Sequence, residues 1–172
     1  MKENGVTLVE LLVIVSIIGL LIIAMGFSYE GWMGNYRLES MTKELYFDLM
    51  DARSSAMTRN RMHWGILEAQ QYTIIEDDNP QPDGNSVLEA LDNLVLQKRY
   101  EYDYRLGVVG AAALPQTITF DTRGLMSWVP AQTEMTFRFI NTRDPDFDCI
   151  VIEQSRIWMG EYDTSNAVCE RR

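Results

Sequence analysis

The sequence predicts an α+β protein in which a long N-terminal helix, membrane-spanning in its first half, packs on antiparallel β-sheets that form a sandwich-like globular domain. An uncharged apolar run covers residues 11–29, and an apolar stripe with helical spacing follows it. Short segments of alternating hydrophobicity, separated by turn residues, fill the chain beyond residue 61. Such short strands and turns favour antiparallel sheets over βαβ units.

The apolar run is long enough to cross a membrane. The 19 residues from Leu11 to Tyr29 carry no charge. A helix of that length rises about 28 Å, which is close to the hydrocarbon thickness of a bilayer. Lys2 and the initiator amine place the leader on the cytoplasmic side. We therefore expect residues 1–5 to form a leader and residues 6–29 a transmembrane half-helix, with the rest of the chain outside the cytoplasm.

Glu10 places a carboxylate at the start of this apolar segment. An unpaired charge at bilayer depth costs roughly 2.5–3.5 kcal/mol on insertion scales, so a role for Glu10 is expected. A simpler hypothesis is a single-pass anchor in which Glu10 lies near the lipid headgroups, but it leaves Gly5 unexplained. No small-residue cleavage site of the A-x-A type follows the run, in contrast to an ordinary secretory signal.

The residues G-V-T-L-V-E-L-L at positions 5–12, followed by an apolar helix, resemble the class III signal of type IV pilins and pseudopilins, usually G-F-T-L-x-E. The resemblance implies that a prepilin peptidase cuts between Gly5 and Val6 and that Val6 becomes N-methylated. Val6 stands where phenylalanine is usual. Glu10 would then be an assembly contact whose carboxylate pairs with the N-terminal amine of a neighbouring subunit, because pairing removes much of the cost of a buried charge.

Residues 30–60 are predicted to continue the helix as an amphipathic half that ends near Arg59–Asn60. Apolar residues recur there at spacings of three and four, at Leu38, Met41, Leu45, Leu49, Ala52 and Ala56. Such a narrow stripe should lie on a sheet. Glu39 and Lys43 form a favourable i,i+4 pair on the polar side.

Residues 61–172 are predicted to form the β-rich domain. The predicted strands are 62–67 and 72–75, which form a hairpin, and 117–120, 126–129, 135–140, 149–152 and 156–159, with a loop at 77–85 and a turn at 122–124. Residues 87–94 are compatible with a helical turn or with the lead-in to a strand. Tyr100, Tyr102 and Tyr104 alternate with charged residues, which predicts a strand with an aromatic face.

A second resemblance is more specific. Residues 45–59, LYFDLMDARSSAMTR, are similar to the L-x-x-x-L-x-x-A-R-S-x-A-x-x-R segment of the H-type minor pseudopilins, the GspH/FimT group. Residues 118–124 resemble the F-x-x-x-G turn of that group, and residues 149–152 with 155–157 resemble its terminal hairpin. Residues 81–113 lie outside the resemblance. It implies a long helix packed on two antiparallel sheets, insertion in the inner membrane with a periplasmic domain, and association with other pilins through the helix.

Composition limits the function classes. The formal net charge is −10, and the chain from Glu30 onward holds 23 acidic and 14 basic residues, which argues against broad nucleic-acid binding. Cys149 and Cys169 are most simply a disulfide on an exported domain, worth roughly 3 kcal/mol for a loop of about 20 residues. A metal site there lacks further ligands, and neither a metal nor a cofactor is expected.

Three other positions were candidates for function. Arg53 and Ser54 lie where the helix should meet the sheet, either as a subunit contact or, as we favour, with Arg53 satisfying carbonyls or a carboxylate. The loop at 77–85 resembles a calcium loop, but Ala90 stands where the bidentate glutamate should be, so a solvated loop is favoured. His63 has no nucleophile elbow to serve, so a hydrolytic triad is not expected.

Three functions remain open. The favoured one is a minor pseudopilin, a tip or initiation subunit of the periplasmic pseudopilus in type II protein secretion. The alternative is a minor pilin of a type IV pilus, in pilus assembly or in FimT-like DNA binding. The DNA-binding branch typically carries G-R-x-R, where this chain has Ser155 and Arg156; Arg171 and Arg172 add positive charge. A membrane-anchored enzyme has no supporting constellation of residues.

Overall fold

The protein is described by a computed structural model over residues 7–79, 84–101, 104–110, 112–129, 133–143 and 145–172, without the side chains of residues 24–29. The predicted cleavage and methylation positions, Gly5 and Val6, lie outside the described residues. So do Tyr102 of the predicted aromatic strand and residues 80–83 of the predicted loop.

One continuous helix, α1, runs from Leu8 to Arg59 over 52 residues. Thr7 caps its first turn, since the Thr7 hydroxyl oxygen accepts the backbone N–H of Glu10 at 3.3 Å. At its end Asn60 takes the left-handed conformation, with φ 55°, and its N–H bonds the Ala56 carbonyl. The prediction of one long helix that ends near Arg59–Asn60 is confirmed.

Ten strands follow the helix: β1 (His63–Leu67), β2 (Gln71–Glu76), β3 (Asn93–Arg99), β4 (Arg105–Val108), β5 (Gln116–Phe120), β6 (Met126–Trp128), β7 (Glu134–Ile140), β8 (Cys149–Glu153), β9 (Ile157–Asp163) and β10 (Val168–Arg171). They form two sheets with strand orders β3-β2-β1-β5-β6 and β10-β9-β8-β7-β4. All the pairings are antiparallel. The predicted α+β class with two antiparallel sheets is confirmed.

The helix covers the inner faces of both sheets and completes a single main core. Leu38, Leu45, Leu49, Ala52 and Ala56 of the predicted stripe are buried, whereas Met41 is only partly buried. Each fully buried leucine side chain contributes about 1.5–3 kcal/mol of transfer free energy. In the sheets, β2 and β7 alternate buried and less buried residues as the period-2 pattern predicts.

The predicted tyrosine strand is wrong. β3 ends at Arg99 and β4 begins at Arg105, in the other sheet, so the segment between them is the crossover from one sheet to the other. Tyr100 stacks on Tyr72 with ring centroids 5.6 Å apart. The Tyr104 hydroxyl donates to the Gly34 carbonyl of the helix at 3.2 Å. The Tyr100 and Tyr104 rings therefore join layers of the fold and belong to no strand. Residues 87–92 are the lead-in to β3, one of the two structures that the sequence allows.

The predicted disulfide between Cys149 and Cys169 is confirmed, and it closes one end of the second sheet. It joins β8 to β10, although β9 lies between them in the strand order. The two Cα atoms are 6.1 Å apart, whereas two strand spacings in a flat sheet are about 9.5 Å. The sheet edge therefore curls. In the β9–β10 ladder Gly160 is paired with Arg171, and a Cβ atom at Gly160 would clash with the carbonyl oxygen of the adjacent Glu170.

Candidate assembly surface

The first half of α1 presents apolar side chains in every direction. Each large apolar residue from Leu8 to Ile23 is between 49% and 80% exposed. Monomeric soluble proteins rarely expose a continuous apolar surface of this extent, so it indicates contact with other helices or with lipid. Within the described part of the chain, no helix combines the length and the apolar character that a membrane crossing requires.

Glu10 lies exposed on the first turn of this apolar half-helix. Among the described residues, none of the ion pairs includes Glu10. The carboxylate is therefore accessible for an intermolecular contact, and the predicted pairing with a neighbouring subunit's amine stays a prediction.

The second half of α1 carries an outer aromatic row, defined here as Trp32, Tyr36 and Phe47. These side chains are between 59% and 64% exposed, and the Trp32 and Tyr36 rings stack with centroids 6.1 Å apart. At about 100° per residue, spacings of four and eleven place all three on the face opposite the buried stripe. The row extends the apolar surface of the first half onto the domain-bearing half. Sequence analysis missed it, although its spacing was readable.

Hydrogen bonds and ion pairs between the helix and the globular domain hold the two together at several positions. Arg53 Nε donates to the Gly124 carbonyl at 2.7 Å, which confirms the predicted role of Arg53 at the helix–sheet seam, while Ser54 is exposed. Lys98 Nζ on β3 lies 2.7 Å from both the Glu44 and Asp48 carboxylates of the helix. The helix and the domain are therefore held in a fixed relative orientation.

His63, which could suggest enzymatic chemistry, is buried and has a structural contact. His63 is 1% exposed, and its Nδ1 lies 3.2 Å from the Arg61 carbonyl oxygen. Burial lowers the pKa of His63. Opposite it on β2, the buried Glu76 carboxylate accepts hydrogen bonds from Arg59 at 2.8 Å and Arg61 at 3.3 Å. This cluster joins the end of the helix to the first sheet.

The carboxylate of Asp77 holds the C-terminal end of the acidic loop through backbone hydrogen bonds. The buried Asp77 carboxylate accepts the backbone N–H groups of Asn85 at 3.1 Å and Ser86 at 2.6 Å. Among the residues that the structure describes, there is no group of three or more His, Cys, Asp or Glu side chains arranged to hold a metal ion.

The arginines named as possible DNA contacts are separated and mostly paired. Arg156 donates to Glu153 at 2.7 Å, and Arg172 bonds Glu161. Arg171 is opposite Gly160 on β9, about 13 Å along the strand from Arg156. Two of the three side chains, Arg156 and Arg172, therefore have their charge balanced by a neighbouring carboxylate.

One long helix with an exposed apolar half, packed at its other half on two antiparallel sheets, defines the type IV pilin-like fold. The structure is similar to that of the type IV minor pilin FimU from Pseudomonas aeruginosa (strain PAO1), with 18% sequence identity and a TM-score of 0.52, over 81% of this chain and 98% of that chain. It is also similar to the minor pseudopilin EpsH from the Type 2 Secretion System of Vibrio cholerae, with 11% identity and a TM-score of 0.49, over 73% and 97%. No protein-family model and no curated protein matches the sequence. The pilin-like fold that the sequence predicted is confirmed.

Proposed function

We propose that this protein is a minor pilin-like subunit that co-assembles with other pilins into a short periplasmic filament, in a structural and not an enzymatic role. The apolar half of α1 carries this proposal: its large side chains from Leu8 to Ile23 are exposed all round, yet the helix continues without a break into a rigidly attached domain. Such a helix needs an apolar environment, which a filament core or a bilayer supplies.

In the proposed pathway, residues 6–29 first anchor the protein in the inner membrane with residues 61–172 in the periplasm. Prepilin peptidase then cleaves after Gly5, and Val6 becomes N-methylated. Moving the helix from lipid into a bundle of other helices exchanges one apolar environment for another, so burial alone gives little preference for one register. The pairing of Glu10 with a neighbour's amine would supply that preference.

We assign the filament to a type II secretion pseudopilus, with this protein as a tip or initiation subunit; a minor pilin of a type IV pilus is the alternative. The net charge of −10 and the pairing of Arg156 and Arg172 with carboxylates favour a role that does not involve DNA. Deletion of the protein, scored for both protein secretion and surface piliation, separates the two systems. Loss of secretion alone supports the assignment, and loss of pili alone supports the alternative.

Glu10→Ala tests the assembly role directly. The variant should be inserted and cleaved normally, with Val6 as the N-terminus by mass spectrometry, but should be absent from purified filaments. Glu30→Ala, which removes an exposed carboxylate from the same helix, is the matched control and should be incorporated. Normal incorporation of the Glu10 variant would contradict the assembly role, and a mature N-terminus other than Val6 would contradict the pilin-type processing.

A further inference from the structure

We infer that the outer edge of β3, together with residues 84–92 before it, is a docking edge for an extended basic segment of a different subunit, which adds to the first sheet as a new strand. The inference rests on the proposed function, because it concerns how the subunit joins its neighbours. It adds a second contact surface, on the globular domain, to the contacts that the helix makes.

The docking edge holds the densest group of exposed apolar side chains in the β-rich domain. Between residues 87 and 95 these side chains are 37–78% exposed: Val87, Leu88, Leu91, Leu94 and Val95. In the rest of the described chain beyond residue 61, the large exposed hydrophobic residues Val129, Ile140 and Val168 are well separated in sequence. Isolated exposed apolar residues are ordinary, whereas a cluster indicates an interaction site.

The backbone of the docking edge is suited to strand addition. β3 is the terminal strand of its sheet and pairs with β2 alone among the described strands. A bulge places Val95 as an extra residue, and beyond it β3 continues in regular register from Leu96 to Arg99. Proteins usually protect such an edge with lysine or proline. Residues 84–99 contain no proline, and the one lysine, Lys98, has its Nζ bonded to Glu44 and Asp48 of the helix, so the edge remains open to another strand.

The segment before β3 is held in place by internal hydrogen bonds. The Asp77 carboxylate, 1% exposed, bonds the backbone N–H groups of Asn85 and Ser86. The Glu89 carboxylate accepts the side-chain amides of Asn79 at 2.7 Å and Asn85 at 3.1 Å. The exposed apolar side chains therefore stand on an ordered backbone, which lowers the entropic cost of binding.

Charge identifies the chemistry of the partner. Residues 77–99 contain five carboxylates and two basic residues, Lys98 and Arg99, which are the last two residues of β3. Among the described residues, Asp78, Glu89 and Asp92 form no ion pair. Lys98 does not compensate them, because its Nζ is bonded to Glu44 and Asp48 of the helix. A second copy of this chain would bring the same acidic edge and be repelled, whereas a basic strand with apolar side chains would be attracted.

Site-specific photocross-linking in cells that assemble the filament tests the inference. The photoreactive residue p-benzoylphenylalanine is placed at position 94 of the full-length protein, at position 14 in the apolar half-helix, and at the exposed position 168 on β10 of the other sheet. We expect position 94 to cross-link to a Lys- or Arg-containing segment of another pilin-type subunit, identified by mass spectrometry. Position 14 should cross-link to pilin helices, and position 168 should give no such adduct.

The outcomes separate the inference from the proposed function. Cross-linking at position 14 without an adduct at position 94 overturns the docking edge and leaves the proposed function standing. An adduct at position 94 with a second copy of this chain also overturns it. Absence of adducts at both positions contradicts the proposed function and the inference with it.

A charge change at the edge gives an independent measurement. With the photoreactive residue at position 94, Leu91→Lys should reduce the adduct by about tenfold or more, because it adds a positive charge opposite a basic partner. Val168→Lys, at an exposed position on the other sheet, is the matched control and should leave the yield unchanged. Both positions are exposed, so the thermal unfolding midpoint should not move. An undiminished yield with Leu91→Lys would overturn the basic character of the partner.

Discussion

Arg53 Nε donates to the Gly124 carbonyl oxygen at 2.7 Å, across 71 residues of sequence. The two residues belong to the two segments whose sequences resemble the H-type minor pseudopilins, the helical A-R-S segment and the F-x-x-x-G turn. Gly124 has φ +77°, and a Cβ atom there would lie 2.5 Å from the Met57 sulfur. The turn is therefore shaped both by its own backbone and by the helix that it contacts.

The first prediction concerns this seam. Arg53→Ala should lower the free energy of unfolding by about 1–3 kcal/mol, because it leaves the Gly124 carbonyl without its charged donor. Ser54→Ala, at the adjacent exposed position, should change it by less than about 0.5 kcal/mol. Urea denaturation of the purified protein in detergent measures both. Equal values for the two variants would show that the hydrogen bond does not hold the helix on the sheet.

Glu76→Gln should destabilise the protein by about 2 kcal/mol, because the amide keeps the shape of the side chain but loses two charge-assisted hydrogen bonds. The loss stays below that of a fully buried ion pair, since the Arg59 side chain is 58% exposed and regains solvation. As a control, Glu101→Gln removes a 3.9 Å ion pair between two exposed side chains. That control should lie within about 0.5 kcal/mol of the wild type in the same denaturation assay.

His63 should make the stability depend on pH near neutrality. Burial lowers the pKa of His63 in the folded protein below 6.5. Just below pH 6.5, His63 is therefore protonated to a greater extent in the unfolded chain than in the folded protein. Stability should therefore fall as pH drops through 6.5 toward the folded-state value, with a slope of at most about 1.4 kcal/mol per pH unit. The charged neighbours of His63, which are Asp51, Arg59 and Glu76, are the same in the wild type and in the His63→Gln variant described next.

His63→Gln should remove this slope while keeping a polar side chain at the position. Measuring the free energy of unfolding above and below pH 6.5 for both proteins gives the difference directly. Asp148, whose pKa is raised by burial, titrates in both proteins and cancels in the subtraction. A slope that persists in the variant would assign the pH dependence to another group.

The curled edge of the second sheet gives a fourth prediction. Cys169→Ser should cost about 3 kcal/mol on the chain-entropy account of a loop of this length. Gly160→Ala should detach β10 even with the disulfide intact, because its Cβ would meet the Glu170 carbonyl at 1.8 Å. Hydrogen exchange of the β10 amides measures the second effect. Gly31→Ala, on the helix with open space around the new Cβ, is the control and should leave these amides protected.

The parts of the fold that were predicted correctly depend on local patterns. The helical stripe from Leu38 to Ala56 and the hairpin of β1 and β2 have their periodicity within a short stretch of sequence. The crossover at Tyr100–Tyr104 was mispredicted because its alternation arises from tertiary contacts, with Tyr72 on one side and Gly34 on the other. β10 pairs with the preceding β9, but it was missed because its four residues, Val168–Arg171, include two charged residues and make no clear period-2 pattern.

The candidate functional surfaces also divide into one that the sequence reveals and others that only the structure reveals. Glu10 is visible in the sequence as a charge within an apolar run. The docking edge is not visible, because Leu91 and Leu94 resemble core residues until the sheet order shows that β3 is terminal. The paired state of Glu76 is equally hidden, since its arginine partners belong to the end of the helix and to the segment after it.

Because α1 is unbroken from Leu8 to Arg59, a rotation of its N-terminal half is transmitted to its C-terminal half. Since Arg53 and Lys98 fix the domain on the helix, any change in helix register in a filament turns the domain by the same angle. A shift of one residue is a rotation of about 100° and a translation of about 1.5 Å. If Glu10 pairs with the amine of one particular neighbour, that pairing would therefore also determine the direction in which β3 faces around the filament axis.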